Sequence, residues 1–330
     1  MPDASSSPAP AVFAVVVTYN RRALLEECLQ ALLVQTRRPD VTIVVDNAST
    51  DGTADFVRAE HPEVRLLALP DNQGGAGGFH EGLKAAHAAG AEWTWLMDDD
   101  TIAEPDALEQ LLSAREDLGT LPAAALLSSK VVWTDGSLHP MNHPGFVNDR
   151  VDRFVASCAQ GLLPLRAATF VSLLVHRAAI DEFGLPHKHF FLWSDDIEYT
   201  ARITRRRAGY LVPSSVVVHK TKTAHTAVTS SGGRFYYHVR NSIYMLRSPQ
   251  AWSAREKLSL LWFLVNTTQQ YLRLNRFARG PAVVVLRGLR DGLRPVPATD
   301  ATAQRASRKP SLRPGAARRR GGPGAVRPGR

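Results

Sequence analysis

Three consecutive carboxylates, Asp98, Asp99 and Asp100, follow directly on the apolar run Trp95-Leu96-Met97. Adjacent like charges repel, and burial sharpens the repulsion, so such a cluster calls for a compensating cation or for water. Hard divalent cations bind carboxylate oxygens readily. On extended backbone alternate side chains share a side, which lets Asp98 and Asp100 share one Mg²⁺ or Mn²⁺ while Asp99 faces elsewhere. The plain alternative is a solvated acidic turn before a helix. A second acidic group sits in Phe191-Leu192-Trp193-Ser194-Asp195-Asp196-Ile197-Glu198-Tyr199. A carboxylate beside aromatic rings is held above its usual pKa by desolvation and suits a general base. The same residues also read as a helix start, with Ser194 as N-cap and Asp195 and Asp196 favouring the helix dipole.

The elements that must position these groups alternate in type. Val12–Val17, Val41–Val45, Val64–Leu69 and Glu92–Met97 are short apolar runs that read as buried strands. Between them the sequence predicts helices over Leu24–Leu33, Thr53–Ala59 and Phe79–Ala89, and then over Pro105–Asp117, with Pro105 in the first turn. Strand–helix units of this length imply a mostly parallel α/β sheet with helices on both faces. Ligands bind such sheets beyond the carboxyl ends of the strands. That rim gathers Thr18-Tyr19-Asn20-Arg21, Asp46-Asn47-Ala48-Ser49, the stretch Asp71–Gly78, and Asp98–Asp100. The glycines Gly74, Gly75, Gly77 and Gly78, after Asn72, predict either a loop that brings backbone N–H groups close to an anion or a flexible turn. Their spacing is not that of a dinucleotide fingerprint. Further on, a strand is expected over Thr169–Val175, a helix over Asp196–Ala208, a strand over Tyr210–Val218, and helices over Phe235–Leu246 and Arg255–Leu274.

Val16-Val17-Thr18-Tyr19-Asn20-Arg21, then Val45-Asp46-Asn47-Ala48-Ser49-Thr50-Asp51-Gly52-Thr53, then Asp98–Asp100, resemble the family 2 glycosyltransferases of GT-A fold in order and spacing. The resemblance implies that Thr18 and Asp46 contact a nucleoside, with Tyr19, Asn20, Arg21, Asn47 and Asp99 on the same donor site. It also implies that the acidic cluster holds a nucleotide-sugar through a divalent metal. The paired glycines before Phe79, and the second acidic motif, resemble the actinobacterial galactofuranosyltransferase and rhamnosyltransferase-like branch. There Asp196 falls on the catalytic base position, with Asp195 beside it and Trp193 as an aromatic shelf. Ser194 is a departure, because it separates Trp193 from the acidic pair. In the same branch a histidine after the later strand completes the metal site. His219, which closes Val216-Val217-Val218, falls there, with His225 as a weaker alternative; read alone, His219 is a strand-end polar residue. Phe235-Tyr236-Tyr237-His238-Val239-Arg240-Asn241 is similar to a Y-x-x-R-N element, in which Arg240 either pairs with a phosphate or is a buried structural arginine.

The implied reaction is inverting transfer of a sugar to a cell-envelope glycan or polyprenyl-linked acceptor, with UDP-galactofuranose as the favoured donor and dTDP-rhamnose next. The rivals are a nucleotidyltransferase of similar fold and a non-catalytic glycan- or polyanion-binding protein. The first would carry a glycine-rich loop after the first strand, where this chain has Thr18–Arg21. The second has no need of two acidic motifs.

The implied organisation is a catalytic domain over residues 12–230, divided at 120 into a nucleotide-binding and an acceptor half. A helical region over 231–294 follows. Residues 1–11 and the Pro-, Gly- and Arg-rich tail 295–330 are expected to be disordered. Two cysteines, Cys28 and Cys158, cannot build a disulfide framework and suit a reducing cytosol. No signal peptide and no membrane-spanning run is visible. A cytoplasmic protein is expected, peripheral on the inner face of the plasma membrane. The net charge of +9, crowded toward the tail, suggests an anionic membrane surface as partner. No nucleic-acid-binding module is recognisable. The apolar face of Arg255–Leu274 either packs on the core or lies on that surface.

Overall fold

The computed structural model describes residues 10–147, 150–222 and 232–296. The segment through residue 9, His225 and the tail from residue 297 lie outside them.

The first half is built as its periodicity requires. Strand β1 (Val12–Thr18) is followed by helix α1 (Arg22–Leu33), β2 (Val41–Asp46), α2 (Thr53–Glu60), β3 (Arg65–Ala68), α3 (Gly74–Ala88) and β4 (Trp93–Asp98). Strands β1 to β4 pair in parallel in the order β3-β2-β1-β4. Every residue of β1 is buried. Val12, Ala14 and Val16 join the core beneath α1, while Phe13, Val15 and Val17 join the core beneath α3. Two-sided burial explains why the strand reads as an unbroken apolar run rather than an alternating one.

The second half is mixed in direction. It contains β5 (Thr101–Ala103), α4 (Ala107–Glu116), β6 (Ala124–Val132), β7 (Gly145–Phe146), α5 (Val151–Ala159), β8 (Leu163–Ala167), β9 (Leu173–His176), α6 (Arg177–Phe183), α7 (Asp195–Thr204) and β10 (Ala208–His219). Strand β9 is antiparallel to both β4 and β6, and joins the parallel half to β6, β10, β8 and β7 in one ten-stranded sheet. Helices α8 (Phe235–Arg247), α9 (Ala254–Leu274) and α10 (Arg279–Leu293) form a separate cluster around Phe235, Val239, Leu264, Tyr271 and Val285.

Several boundaries differ from the sequence reading. Helix α3 begins at Gly74, five residues ahead of Phe79, so the glycine stretch is a helical turn. Pro105 precedes α4, whose N-cap is Asp106. The strand expected from Thr169 starts at Leu173, and α7 ends at Thr204 rather than Ala208.

Candidate active site

The carboxyl ends of β1, β2 and β4 lie side by side, so Thr18 is in register with Asp46, and Val17 with Asp98. Asp98 is the last residue of β4, and Asp99 and Asp100 turn away from it. Two roles separate at once. Asp99 faces β1, where its carboxylate accepts from Thr18 Oγ1 at 2.8 Å and from an Arg21 terminal nitrogen at 3.2 Å. Asp98 and Asp100 face His219 at the end of β10, and each of the three offers a ligand atom within 4.8 Å of the others. Asp100 receives Arg21 at 2.7 Å on one oxygen. Its other oxygen, buried and without an aligned hydrogen-bond donor, lies 3.1 Å from His219 Nε2.

The electrostatics follow from crowding. Burial, then the Asp100 charge, pushes Asp98 up to about 7. Burial pushes Asp99 up to about 6 against the pull of Arg21. Burial also acts on Asp100, but the close His219 imidazole and the Arg21 guanidinium prevail and hold it below the usual range. His219 is desolvated too, yet Asp100 raises it. Two carboxylates and one imidazole, with a buried oxygen left unmatched, fit a divalent cation of the Mn²⁺ or Mg²⁺ kind.

A residue absent from the sequence reading orients the imidazole. Asn142 Nδ2 donates to Thr169 Oγ1 at 2.9 Å, which turns its oxygen toward His219 Nδ1 at 2.8 Å. His219 therefore donates from Nδ1 and presents Nε2 to the acidic pair, the arrangement a metal-binding histidine needs. The sequence held only a faint signal for this: His139, Asn142 and His143 crowd a stretch that has no strand or helix pattern.

The second acidic motif reaches the same rim from the other side. The Asp98 charge contributes to a rise in the Asp195 pKa, after burial and Asp196. Burial lifts Asp196 to about 6 even though backbone N–H groups of Ile197, Phe170 and Ser194 favour its charged form. The residue keeps partial exposure, whereas Asp195 is buried. Ser194 occupies the N-cap position of α7, but at φ 69° and without a side-chain cap bond. The expected serine cap is thus absent, because left-handed backbone turns the hydroxyl away from the first turn.

Phe191, Trp193 and Ser194 all have positive φ, an unfavourable state for such residues, which must be held by their surroundings. The restraint comes from α8. Asn241 Nδ2 donates to the carbonyls of Phe190, Leu192 and Trp193 at 3.0, 2.7 and 2.8 Å. Arg240 donates to the carbonyls of His189 and Phe190 at 3.0 and 2.6 Å, with its guanidinium against Tyr236, Tyr237 and Tyr244. Arg240, expected as a phosphate partner or a structural arginine, makes these structural contacts. Helix α3 grips the same loop from above: Ala76 N–H donates to Phe191 O at 3.2 Å.

The glycines serve this packing. A Cβ on Gly74 would lie 2.0 Å from Phe191 O, and one on Gly78 would lie 2.4 Å from Val17. One on Gly77 would meet the Gln73 side chain, and only Gly75 of the four faces open space. The expected anion-facing loop is therefore a helical turn that lets α3 approach both β1 and the 191–194 loop. Asn72 Oδ1 accepts from Gly74 N–H, and Asn47 bridges the second rim segment to this turn through Gln73 N–H and Gly74 O. Asp46 is buried and accepts from Ser49 N–H, Asn20 Oδ1 accepts from Thr50 N–H, and Tyr19 stands exposed at the mouth.

A parallel sheet edge that gathers Thr18, Asp46 and Asp98, with a carboxylate–imidazole cluster beside it, gives an α/β domain whose strand ends carry the candidate site. The sequence profile of glycosyl transferase family 2 matches residues 13–159. The galactofuranosyltransferase GlfT1 of Mycolicibacterium smegmatis is 32% identical, with 81% of this chain and 96% of that protein covered. The N-acetylglucosaminyl-diphospho-decaprenol L-rhamnosyltransferase of Mycobacterium tuberculosis is 26% identical over 74% of this chain and 90% of its own length. The fold is shared with S. aureus TarS in complex with UDP-GlcNAc, at a TM-score of 0.57 and 16% identity over 85% of this chain and 80% of TarS. The chain belongs to glycosyl transferase family 2 and is a glycosyltransferase of GT-A fold.

Proposed function

We propose that the protein transfers a sugar, with inversion, from a UDP-sugar to a polyprenyl-linked or other cell-envelope glycan, with UDP-galactofuranose the favoured donor and dTDP-rhamnose next. The observation that carries this reading is the carboxylate–imidazole cluster at the strand ends, with the loop ahead of the second acidic motif packed on the α3 turn that Asn47 of the same rim holds. The names of the relatives support the donor and acceptor classes. Thr18, Tyr19, Asn20, Asp46 and Asn47 flank the nucleoside end of the site. Asp98, Asp100 and His219 would hold the Mn²⁺ or Mg²⁺ ion, which when bound neutralises charge on the departing diphosphate. Arg21, half-exposed beside the cluster, supplies a fixed positive charge to the same end.

Asp196 takes the proton from the acceptor hydroxyl as that oxygen attacks the anomeric carbon. Its pKa of about 6 leaves it ionised yet basic near neutrality. Burial and the neighbouring Asp196 charge raise Asp195, which favours its neutral form beside the ionised base. A single displacement needs no enzyme nucleophile. Peripheral attachment to the inner face of the plasma membrane would bring the cleft to a lipid-linked acceptor. The test is calorimetric titration of UDP and dTDP, each with Mn²⁺ and with EDTA. Metal-dependent preference for UDP is expected. Preference for dTDP shifts the donor to rhamnose, and no binding of either by folded protein overturns the reading.

A further inference from the structure

We infer that the outer face of α9, with the turn that leads into α10, is a docking surface for an anionic lipid bilayer. The inference extends the proposed reading by naming the surface that would bring the cleft to a lipid-linked acceptor.

Two independent features meet there. The first is apolar. Leu258, Leu261, Trp262 and Val265 recur at helical spacing on α9, and all four are exposed, Trp262 at 70%. Leu264, Thr267 and Tyr271 supply the buried face instead. An amphipathic helix packed on a domain core would bury its apolar stripe. Here α9 has an inner contact and a second apolar stripe turned to solvent. Leu274 and Phe277 are also exposed, where α9 ends and the turn before α10 begins. Contiguous exposed apolar surface with a tryptophan marks an interaction site rather than ordinary surface.

The second feature is charge. Residues 254–330 carry 17 Lys and Arg against 3 Asp and Glu, whereas residues 1–253 carry 23 against 28. The basic character of the chain therefore belongs wholly to its end, while the catalytic portion is acidic. Two of the three acidic residues are already engaged: Glu256 by Arg166 and the α9 capping box, and Asp291 by Arg290 and Arg294. Arg273, Arg276 and Arg279 are exposed and alternate with Leu274 and Phe277 in the turn. Apolar side chains interleaved with arginines that pair with no acidic side chain among the described residues match the two layers of an anionic bilayer interface: acyl chains for the first, phosphate headgroups for the second. A second protein copy would need an acidic patch to meet the arginines, and the symmetry of a homodimer would set arginine against arginine. Among the described residues no helix is long and apolar enough to cross a membrane, so the contact is one of lying on the surface.

The surface is tied to the site by close packing. Added Cβ atoms at Gly288 and Gly292 of α10 would fall within about 3 Å of Val239, Ile243 and the Arg240 carbonyl of α8. That same α8 holds the 189–194 loop through Arg240 and Asn241. A bilayer under α9 thus supports the helix cluster that positions the acceptor loop.

The experiment is co-sedimentation of the full chain with vesicles of phosphatidylcholine alone and of phosphatidylcholine with phosphatidylglycerol. Wild type is expected to bind the anionic vesicles only, and less at high salt. The double substitution Leu258→Ser with Trp262→Ser is expected to weaken that binding about tenfold or more. UDP titration of the same variant in solution is expected to match wild type. That control separates the two readings, since loss of UDP binding by wild type bears on the donor site alone. Absence of vesicle binding by wild type overturns the inference. So does binding that the double substitution leaves intact, which would assign it to the tail. A dimer in sedimentation velocity that Trp262→Ser abolishes, without vesicle binding, also overturns it in favour of a second copy.

Discussion

The two acidic motifs are held by opposite means. Asp98 ends a strand paired with β1, and backbone hydrogen bonds from Asp99 N–H to Val17 O and from Lys220 N–H to Asp100 O fix where the three carboxylates point. Asp195 and Asp196 follow a loop with three residues in left-handed backbone, and side chains from a helix some fifty residues away fix it. The proposed donor site, built on the sheet edge, is rigid because of the fold itself. The proposed acceptor side, built on a clamped loop, is rigid only while the clamp holds, which leaves that side free to differ in shape without disturbing the sheet.

The largest effect on this contrast comes from the base. Asp196→Asn keeps the volume and removes the proton acceptor, and transfer is expected to fall about 10³-fold. Metal-dependent nucleotide binding by calorimetry should stay near wild type. In the wild type, turnover should rise with pH as Asp196 ionises through about 6 and level off above it. Retained turnover in Asp196→Asn would remove the residue from its role.

Next comes the clamp. Asn241→Ala leaves the carbonyls of Phe190, Leu192 and Trp193 without their shared donor, and the strained loop is then free to relax. A shift of the base by about 1 Å is enough to lower kcat roughly 10²-fold. UDP and Mn²⁺ affinities should not follow, since no Asn241 contact reaches the sheet rim. Equal losses in kcat and in donor affinity would show that the two regions are one mechanical unit and not two. A smaller effect is expected on the metal side. Asn142→Ala releases His219 Nδ1, and Mn²⁺ affinity measured by calorimetry should weaken about tenfold or more. The control is Asn142→Asp, which keeps an acceptor for Nδ1 and should recover most of that loss.

The contrast also explains what the sequence disclosed. The parallel half was legible because two-sided burial writes itself as apolar runs, and strand ends then place Thr18, Asp46 and Asp98 on one rim. The expected split, Asp98 with Asp100 and Asp99 apart, is what the structure has, but a turn at Asp99 and Asp100 produces it rather than alternation on extended chain. The clamp was not legible, since nothing local marks Asn241 as the donor to three distant carbonyls. The glycines at 74–78 misled for a related reason. Their composition signals a loop, but close approach to Phe191 and Val17 demands the missing Cβ atoms within a helix. Arg240 likewise gives no local sign of its contacts to the carbonyls of His189 and Phe190.

The smallest effect is on stability, and it separates the two regions most cleanly. Asp98 carries a folded pKa of about 7 against an ordinary value near 3.8, chiefly from burial and Asp100. A carboxyl raised in this way stabilises the fold while it keeps its proton. That contribution drains away as pH climbs from about 4 through about 7. Asp98→Asn is neutral throughout, so in EDTA its Tm advantage over wild type should be small at pH 5 and grow to roughly 2 °C or more at pH 8. Adding Mn²⁺ at pH 8 should reverse the order, because only the wild type gains a bound cation among Asp98, Asp100 and His219. Asn241→Ala should show the opposite pattern, with a lowered Tm that neither pH nor Mn²⁺ selectively restores. If Mn²⁺ leaves the wild-type Tm unchanged, the cluster is a strained acidic turn neutralised by Arg21 and His219, and the sheet rim has to bind its donor without an ion.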